Sequence, residues 1–176
     1  GESEALVKGV PLDHGVFLVP SFTGLGAPYW DANARGAILG LTRDSGISTI
    51  VAAALQSVGY QTKDLQKAME GDGLRPSILR VDGGMANNNW AMEFLANILG
   101  ASVERPTLTE TTSLGVAYLA GLQSGVYEST AQLATMWRCD RRFEPTMSSF
   151  ERNDLYAKWL NCIAQVTLAN NPQNDG

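Results

Sequence analysis

A chain of 176 residues that is 44% apolar and 18% charged carries enough hydrophobic side chain for one compact core, which excludes a largely disordered chain and two large domains. With 13 Lys and Arg against 18 Asp and Glu the net charge is −5, and no basic run exceeds Arg141–Arg142, so the phosphate-backbone footprint of a nucleic-acid binder is excluded. Two cysteines, Cys139 and Cys162, and one histidine, His14, rule out a disulfide framework and most zinc or charge-relay schemes; a reducing, cytoplasmic setting is expected.

In chain order, residues 1–15 read as a lead-in. Gly1-Glu2-Ser3-Glu4 shows neither an initiator Met nor a charged-then-apolar leader, so the expectation is no signal peptide and a start cut inside a longer protein. Gly15-Val16-Phe17-Leu18-Val19-Pro20 predicts a short buried strand. Ser21 to Arg35, SFTGLGAPYWDANAR, mixes Gly24, Gly26 and Pro28 with Tyr29 and Trp30; this predicts a packed loop whose two aromatics anchor against the core, with lining of a substrate mouth as the alternative. Gly36 to Leu41 predicts a second strand. Ser48 is the expected N-cap of a long helix to about Glu70, with Ile50, Ala54, Leu55, Val58, Leu65 and Met69 as its buried stripe and Gly71-Asp72-Gly73 as its end. The runs Gly36 to Leu41 and Ile50 to Leu55 are far short of the roughly 20 residues that span a bilayer, so no membrane partner is expected.

The second half alternates more cleanly. Ser77 to Val81 predicts a strand, and Asn89 to Leu99 a helix with Ala91, Phe94, Leu95, Ile98 and Leu99 on one face and Gly100 as terminator. Ser102 to Arg105 predicts a strand closed by Pro106. Thr107-Leu108-Thr109-Glu110 has the form of a capping box ahead of a helix bearing Leu114, Ala117, Tyr118, Gly121 and Leu122. A short helix around Ser129 to Met136, an extended Arg142 to Pro145, a last helix from about Phe150 to Leu168 and a flexible tail, 170–176, complete the prediction; there is no internal repeat.

The sharpest local feature is VDGGMANNNW, Val81 to Trp90, which puts Gly83 and Gly84 at the carboxyl end of a strand just before a helix N-terminus. Backbone without Cβ atoms admits a ligand closely, and a helix start offers unpaired N–H groups to a phosphate. Asn87, Asn88 and Asn89 supply amides that either cap the helix or bond a purine or ribose. The plain alternative is a strand-to-helix turn with an Asn cap. Asp82 is equally two-sided, orienting a water or metal-bound phosphate on one reading and fixing the turn on the other.

This strand–Asp–Gly–Gly–helix run resembles the adenosine motif of the actin, hexokinase and sugar-kinase superfamily. FTGLGAPYWDANARGAILGLTR (Phe22 to Arg43), ALQSVGYQTKDL (Ala54 to Leu65), VDGGMANNNWAMEFLANILG (Val81 to Gly100), VERPTLTETTSLGVAYLAGL (Val103 to Leu122) and ERNDLYAKW (Glu151 to Trp159) narrow it to the C-terminal region of the FGGY carbohydrate kinase family, in its glycerol-phosphorylating branch. Thr49 stands where the family's second signature has His, Asp, Glu, Asn or Gln, a mild departure in a first helical turn. The resemblance implies an α/β fold, part of the C-terminal lobe of a ribonuclease-H-like kinase, with a mixed sheet and flanking helices over residues 16–169. It also implies ATP-dependent phosphorylation of glycerol to sn-glycerol 3-phosphate with Mg²⁺, and a homo-oligomer at full length.

Carried over residue by residue, Gly84 matches a position on the nucleotide's phosphate side and Asn88 one on its adenosine part, with Gly83 adjoining. Gly115 and Ala117 match a small-residue helix at the junction of the two lobes, although close packing in any fold would use the same residues. Glu151 stands where some relatives contact a regulatory phosphotransfer protein through a shared zinc ion; a favourable helix-dipole partner is the plainer role. The catalytic aspartate, the glycerol-gripping residues and the threonine/glycine phosphate loops have no counterpart in this chain, so the expectation is the adenine-nucleotide half of the site, no catalytic or metal-binding residue, no turnover alone, and a lobe weakened or made sticky by unpaired sheet edges. A kinase for another small polyol or sugar, and a non-catalytic nucleotide-binding domain, stay open as alternatives.

Overall fold

The structure, a computed structural model, describes residues 2–169; Gly1 and the expected tail, 170–176, lie outside the described residues. A helix not expected from the sequence, α1 (Glu2–Val7), opens the chain and packs on the later helices α2 (Ile47–Gly71) and α3 (Asn89–Leu99). Between them β1 (Phe17–Val19) and β2 (Ala37–Leu39) form an antiparallel hairpin with Phe17 opposite Leu39. After α2 come β3 (Ile78–Arg80), a 3₁₀ turn at Gly84–Asn87, α3, β4 (Ser102–Pro106), α4 (Thr111–Gln123), α5 (Thr130–Met136), β5 (Cys139–Phe143) and α6 (Ser149–Ala169). The second sheet runs β3-β4-β5, with β3 parallel and β5 antiparallel to β4, so the mixed sheet and the alternation from Ser77 to Gln123 are as expected.

The core lies where α2, α3 and α6 meet β1 and β4. Tyr60 of α2 stacks on the fully buried Trp159 of α6 with ring centroids 5.1 Å apart, and the edge of Phe94 from α3 meets Tyr60 at 5.3 Å. Alternation along the strands divides the sheet: Val103 and Phe143 enter this core, whereas Glu104 turns to the other face, where Arg80 and Arg142 pair with it. Arg80 there lies 4.0 Å over the ring of Trp137, at the end of α5.

Helix α3 follows the predicted pattern to the residue, and Gly100 closes it in the left-handed region at φ 68°. Helix α2 departs from it. Val58, Leu65 and Met69 of the expected stripe are exposed, and the buried side is Ala52, Ala53, Gln56, Ser57, Gly59, Tyr60, Lys63 and Asp64. The cause is the closeness of α3: a Cβ at Gly59 would stand 2.8 Å from the Phe94 ring, so only small residues fit at the crossing. The polar members find partners instead. Gln56 Nε2 donates to the Leu12 carbonyl at 2.8 Å and Lys63 Nζ to the Leu99 carbonyl at 3.1 Å. Asp64 accepts from Tyr156 Oη at 2.7 Å and from Trp159 Nε1 at 2.9 Å.

Three terminal expectations also change. Gly46, not Ser48, precedes α2, and neither Ser48 nor Thr49 supplies a cap, because both already lie inside the first turn. The Thr107–Glu110 capping box does not form; Glu110 starts α4 without a side-chain bond while Thr107 N–H is drawn off to the Arg138 carbonyl at 3.0 Å. Trp30, expected as an anchor, is 78% exposed at φ 51°, although Tyr29 does pack against the core. The loop is held by its own polar contacts: Asp31 Oδ1 accepts the N–H groups of Asn33 and Ala34, Arg35 Nη1 donates to the carbonyls of Ala32, Asn33 and Ala34, and Leu25 and Ala34 are its buried apolar contacts.

Candidate functional site: the turn after strand β3

The parallel ladder continues one residue past β3, where Val81 N–H donates to the Glu104 carbonyl at 3.0 Å, and then the chain turns. Gly83 takes φ 79° and ψ 175°, a conformation that a side chain rarely adopts, so this glycine is demanded by the backbone itself. Its N–H donates to the Thr109 carbonyl at 2.8 Å, and the neighbouring Asp82 carboxylate accepts from the Thr111 hydroxyl. Asp82 is therefore tied to a side chain at the start of α4, and not to backbone N–H groups of its own turn as an Asp-fixed turn would be.

Gly84 is a different kind of glycine. It is exposed, and a Cβ there would meet nothing within 4 Å. Its main chain borders a hollow of about 370 Å³ lined by Ser3, Leu55, Gly84, Met85, Asn87 and Asn88. The glycine pair does not lead straight into α3, as expected from the sequence, because Gly84 itself opens the 3₁₀ turn and α3 starts five residues later at Asn89. Asn88 occupies the junction. Its Oδ1 accepts from Ala91 N–H at 3.0 Å as the cap of α3, while Nδ2 reaches Ser3 Oγ at 3.3 Å.

Of the three residues the sequence singled out, Gly84 and Asn88 therefore line one hollow, and Gly83 supports them from behind through its bond to Thr109. The sequence reading missed Ser3, Leu55 and Met85. Ser3 and Leu55 come from α1 and α2 and carry no local signal; only the fold brings them to the glycine turn. Met85, next to the pair and 40% exposed, offers an apolar flank.

The remaining candidates divide. Gly115 on α4 has open space at its Cβ position, with Val116 and Leu119 exposed nearby, so this helix presents an uncovered small-residue side. Glu151 forms a reciprocal cap with Ser148: its carboxylate accepts the Ser148 hydroxyl and N–H, which holds it below the usual carboxylate range, and Ser148 Oγ accepts Glu151 N–H. Among the described residues no three His, Cys, Asp or Glu side chains converge to hold a metal ion, and no helix is long and apolar enough to cross a membrane.

Residues 2–124 match the model of the C-terminal domain of the FGGY family of carbohydrate kinases. The chain is 62% identical over 165 residues to a glycerol kinase of Alteromonas mediterranea and 59% identical to glycerol kinase 1 of Pseudomonas aeruginosa, in each case over 94% of this chain and 33% of the relative. It thus spans about a third of the length of the curated relatives it matches. Among solved structures it resembles Plasmodium falciparum glycerol kinase with ADP, at 31% identity and a TM-score of 0.82 over 94% of this chain and 33% of that one. A xylulose kinase of Lactobacillus acidophilus, 19% identical over 98% of this chain and 35% of its own with a TM-score of 0.76, shares the fold.

Proposed function

The chain belongs to the FGGY family of carbohydrate kinases, and from that premise we propose that it supplies the adenine-nucleotide side of the cleft in a cytoplasmic enzyme that phosphorylates glycerol to sn-glycerol 3-phosphate with ATP. The observation that carries this reading is the bare main chain of Gly84 against an open hollow, at the carboxyl end of a parallel strand, where α/β sheets receive ligands. Gly84 lets a phosphate tail approach the backbone. Met85 and Leu55 offer apolar contact to a purine face, and Asn88 Nδ2, which donates to Ser3 Oγ at the hollow's lining, has a second N–H to give to a ligand. The high identity to proteins named glycerol kinase, and the likeness to one solved with ADP, support the choice of nucleotide and acceptor.

Transfer of a phosphoryl group needs a positioned acceptor, a base for its proton, and Mg²⁺ to neutralise the phosphates. We read the described residues as serving the nucleotide: among them no three His, Cys, Asp or Glu side chains converge to hold the ion, which would lean on the phosphates and on one or two carboxylates. On this reading, the base, the glycerol contacts and the metal environment come from the length of the relatives that this chain does not span, and so does the partner surface for the uncovered side of α4. The full-length protein would then close its lobes through α4 and assemble as a homo-oligomer.

The test is an ADP titration of the 176-residue chain with two variants. Gly84→Val places a side chain in open space at a φ that tolerates it, so it fills the hollow and leaves the fold intact; ADP affinity should fall at least about tenfold, as loss of close backbone contact requires. Asn88→Asp keeps the cap acceptor and removes the Nδ2 donor, and it should weaken ADP without loss of helix. Unchanged affinity in both variants rejects the site, and glycerol-dependent ADP release by the pure chain rejects the division of labour.

A further inference from the structure

Resting on the nucleotide reading above, we propose that Thr111 is a positioning residue: by holding the Asp82 carboxylate it fixes the Gly83–Gly84 turn in its ligand-ready form and couples that turn to α4. A glycine pair is the most freely mobile backbone a chain can contain, so a turn built on it is ordered only by what ties it down. The sheet ladder stops at Val81. Beyond it, the 3₁₀ part of the turn is held by Ala86 N–H to the Gly83 carbonyl and by Arg105 Nη1 to the Ala86 carbonyl, whereas Asp82 and Gly83 are tied to the segment that opens α4: Thr111 Oγ1 donates to Asp82 Oδ2, and Gly83 N–H donates to the Thr109 carbonyl.

The dependence runs both ways. Helix α4 buries only Gly121, and its N-cap residue, Glu110, makes no side-chain bond, so its first turn has little else to fix it. A ligand that orders the glycine turn must then also order the start of α4, and the coupling is reciprocal. Asp82 is thereby accounted for. Its Oδ2 is engaged by a hydroxyl on the protein, and among the described residues it belongs to no group of three His, Cys, Asp or Glu side chains that could hold a metal ion.

Thr111→Val preserves the shape of the side chain and removes only the donor; Thr111→Ser restores the donor. ADP should bind the valine variant about three- to tenfold more weakly, the size expected for the net loss of one ordinary hydrogen bond, this one being exposed, and the serine variant within about twofold of wild type. A second readout separates positioning from mere stability: hydrogen exchange of the α4 amides should slow on ADP addition in wild type and in T111S, and stay unchanged in T111V. A wild-type chain that binds no ADP overturns the nucleotide reading together with this role. If wild type binds ADP and T111V matches it in both affinity and α4 protection, the latch alone is overturned.

Discussion

Helices α3 and α4 each follow a parallel strand of one sheet and each carry an apolar sequence, yet α3 buries eight of its 11 residues and α4 one of its 13. The two differ in what stands opposite. Helix α3 lies among α2, α6 and the sheet, so each apolar side chain on it meets another. Helix α4 faces α5 and the end of the sheet across a hollow of about 330 Å³, while Val116 and Leu119 point outward. Sequence periodicity therefore reports that a segment is helical and amphipathic, and says nothing of whether a partner is present to cover it.

The sharpest way to break this contrast is to remove the centre of the covered region. Trp159 is fully buried, stacks on Tyr60 and donates to Asp64. Trp159→Ala should cost about 3–5 kcal/mol in urea unfolding, the range for large aromatic truncations in a core. A loss below about 1 kcal/mol would mean that α6 is not packed on α2 in solution.

Asp64 gives the next largest effect and adds a pH signature. Burial pushes its carboxyl pKa above the ordinary 3.8, against the opposing pull of the Trp159 and Tyr156 donors. A raised acid pKa means that its contribution to stability is complete below about pH 3.8 and declines as pH rises through the folded value, because the folded chain must then carry a buried charge. The measurement is the difference in unfolding free energy between wild type and D64N across that window. Relative to D64N, wild type should be most stable at the acid end and lose ground as pH rises; a flat difference, or one that grows with pH, rejects the desolvated carboxyl. Asp64→Ala, which strands both the Tyr156 hydroxyl and the Trp159 N–H, should cost about 1–3 kcal/mol at the acid end of that window and less as pH rises.

The same contrast explains which parts of the molecule were legible in the sequence. Strands β1 to β4 and helix α3 were readable because apolar spacing and Gly100 agree with one another; β5 lies at Cys139–Phe143 and not at the expected Arg142 to Pro145, since it is exposed up to Phe143 and carries no apolar alternation. The buried side of α2 was not, since its closest approach to α3 is made by Gly59 and its neighbours are Gln56, Lys63 and Asp64, residues that signal a surface until their distant partners are known. At the site, Gly83 and Gly84 look alike as letters, yet one is required by a positive φ while the other has room for a side chain and stands bare beside a hollow. Ser3 and Leu55 were invisible for the opposite reason: their role is only adjacency, produced by α1 and α2 arriving at a turn that is remote from them in sequence.

The smallest expected effect is the most informative about the uncovered side. Leu119 is 69% exposed on α4, so in this chain Leu119→Ala removes little buried surface and should shift the unfolding free energy by no more than about 0.5 kcal/mol. Leucine on a helix surface would be an odd choice if that surface met only water, since an exposed apolar stripe favours association over solubility. The two facts are compatible if the side is covered by chain beyond these 176 residues, which is the reading in which α4 sits at a junction between lobes. Melting measured at several protein concentrations decides it. If wild type is more stable at higher concentration and L119A is not, copies of the chain are covering this side; if L119A costs more than about 1.5 kcal/mol at every concentration, α4 is packed within the chain and its contrast with α3 is void.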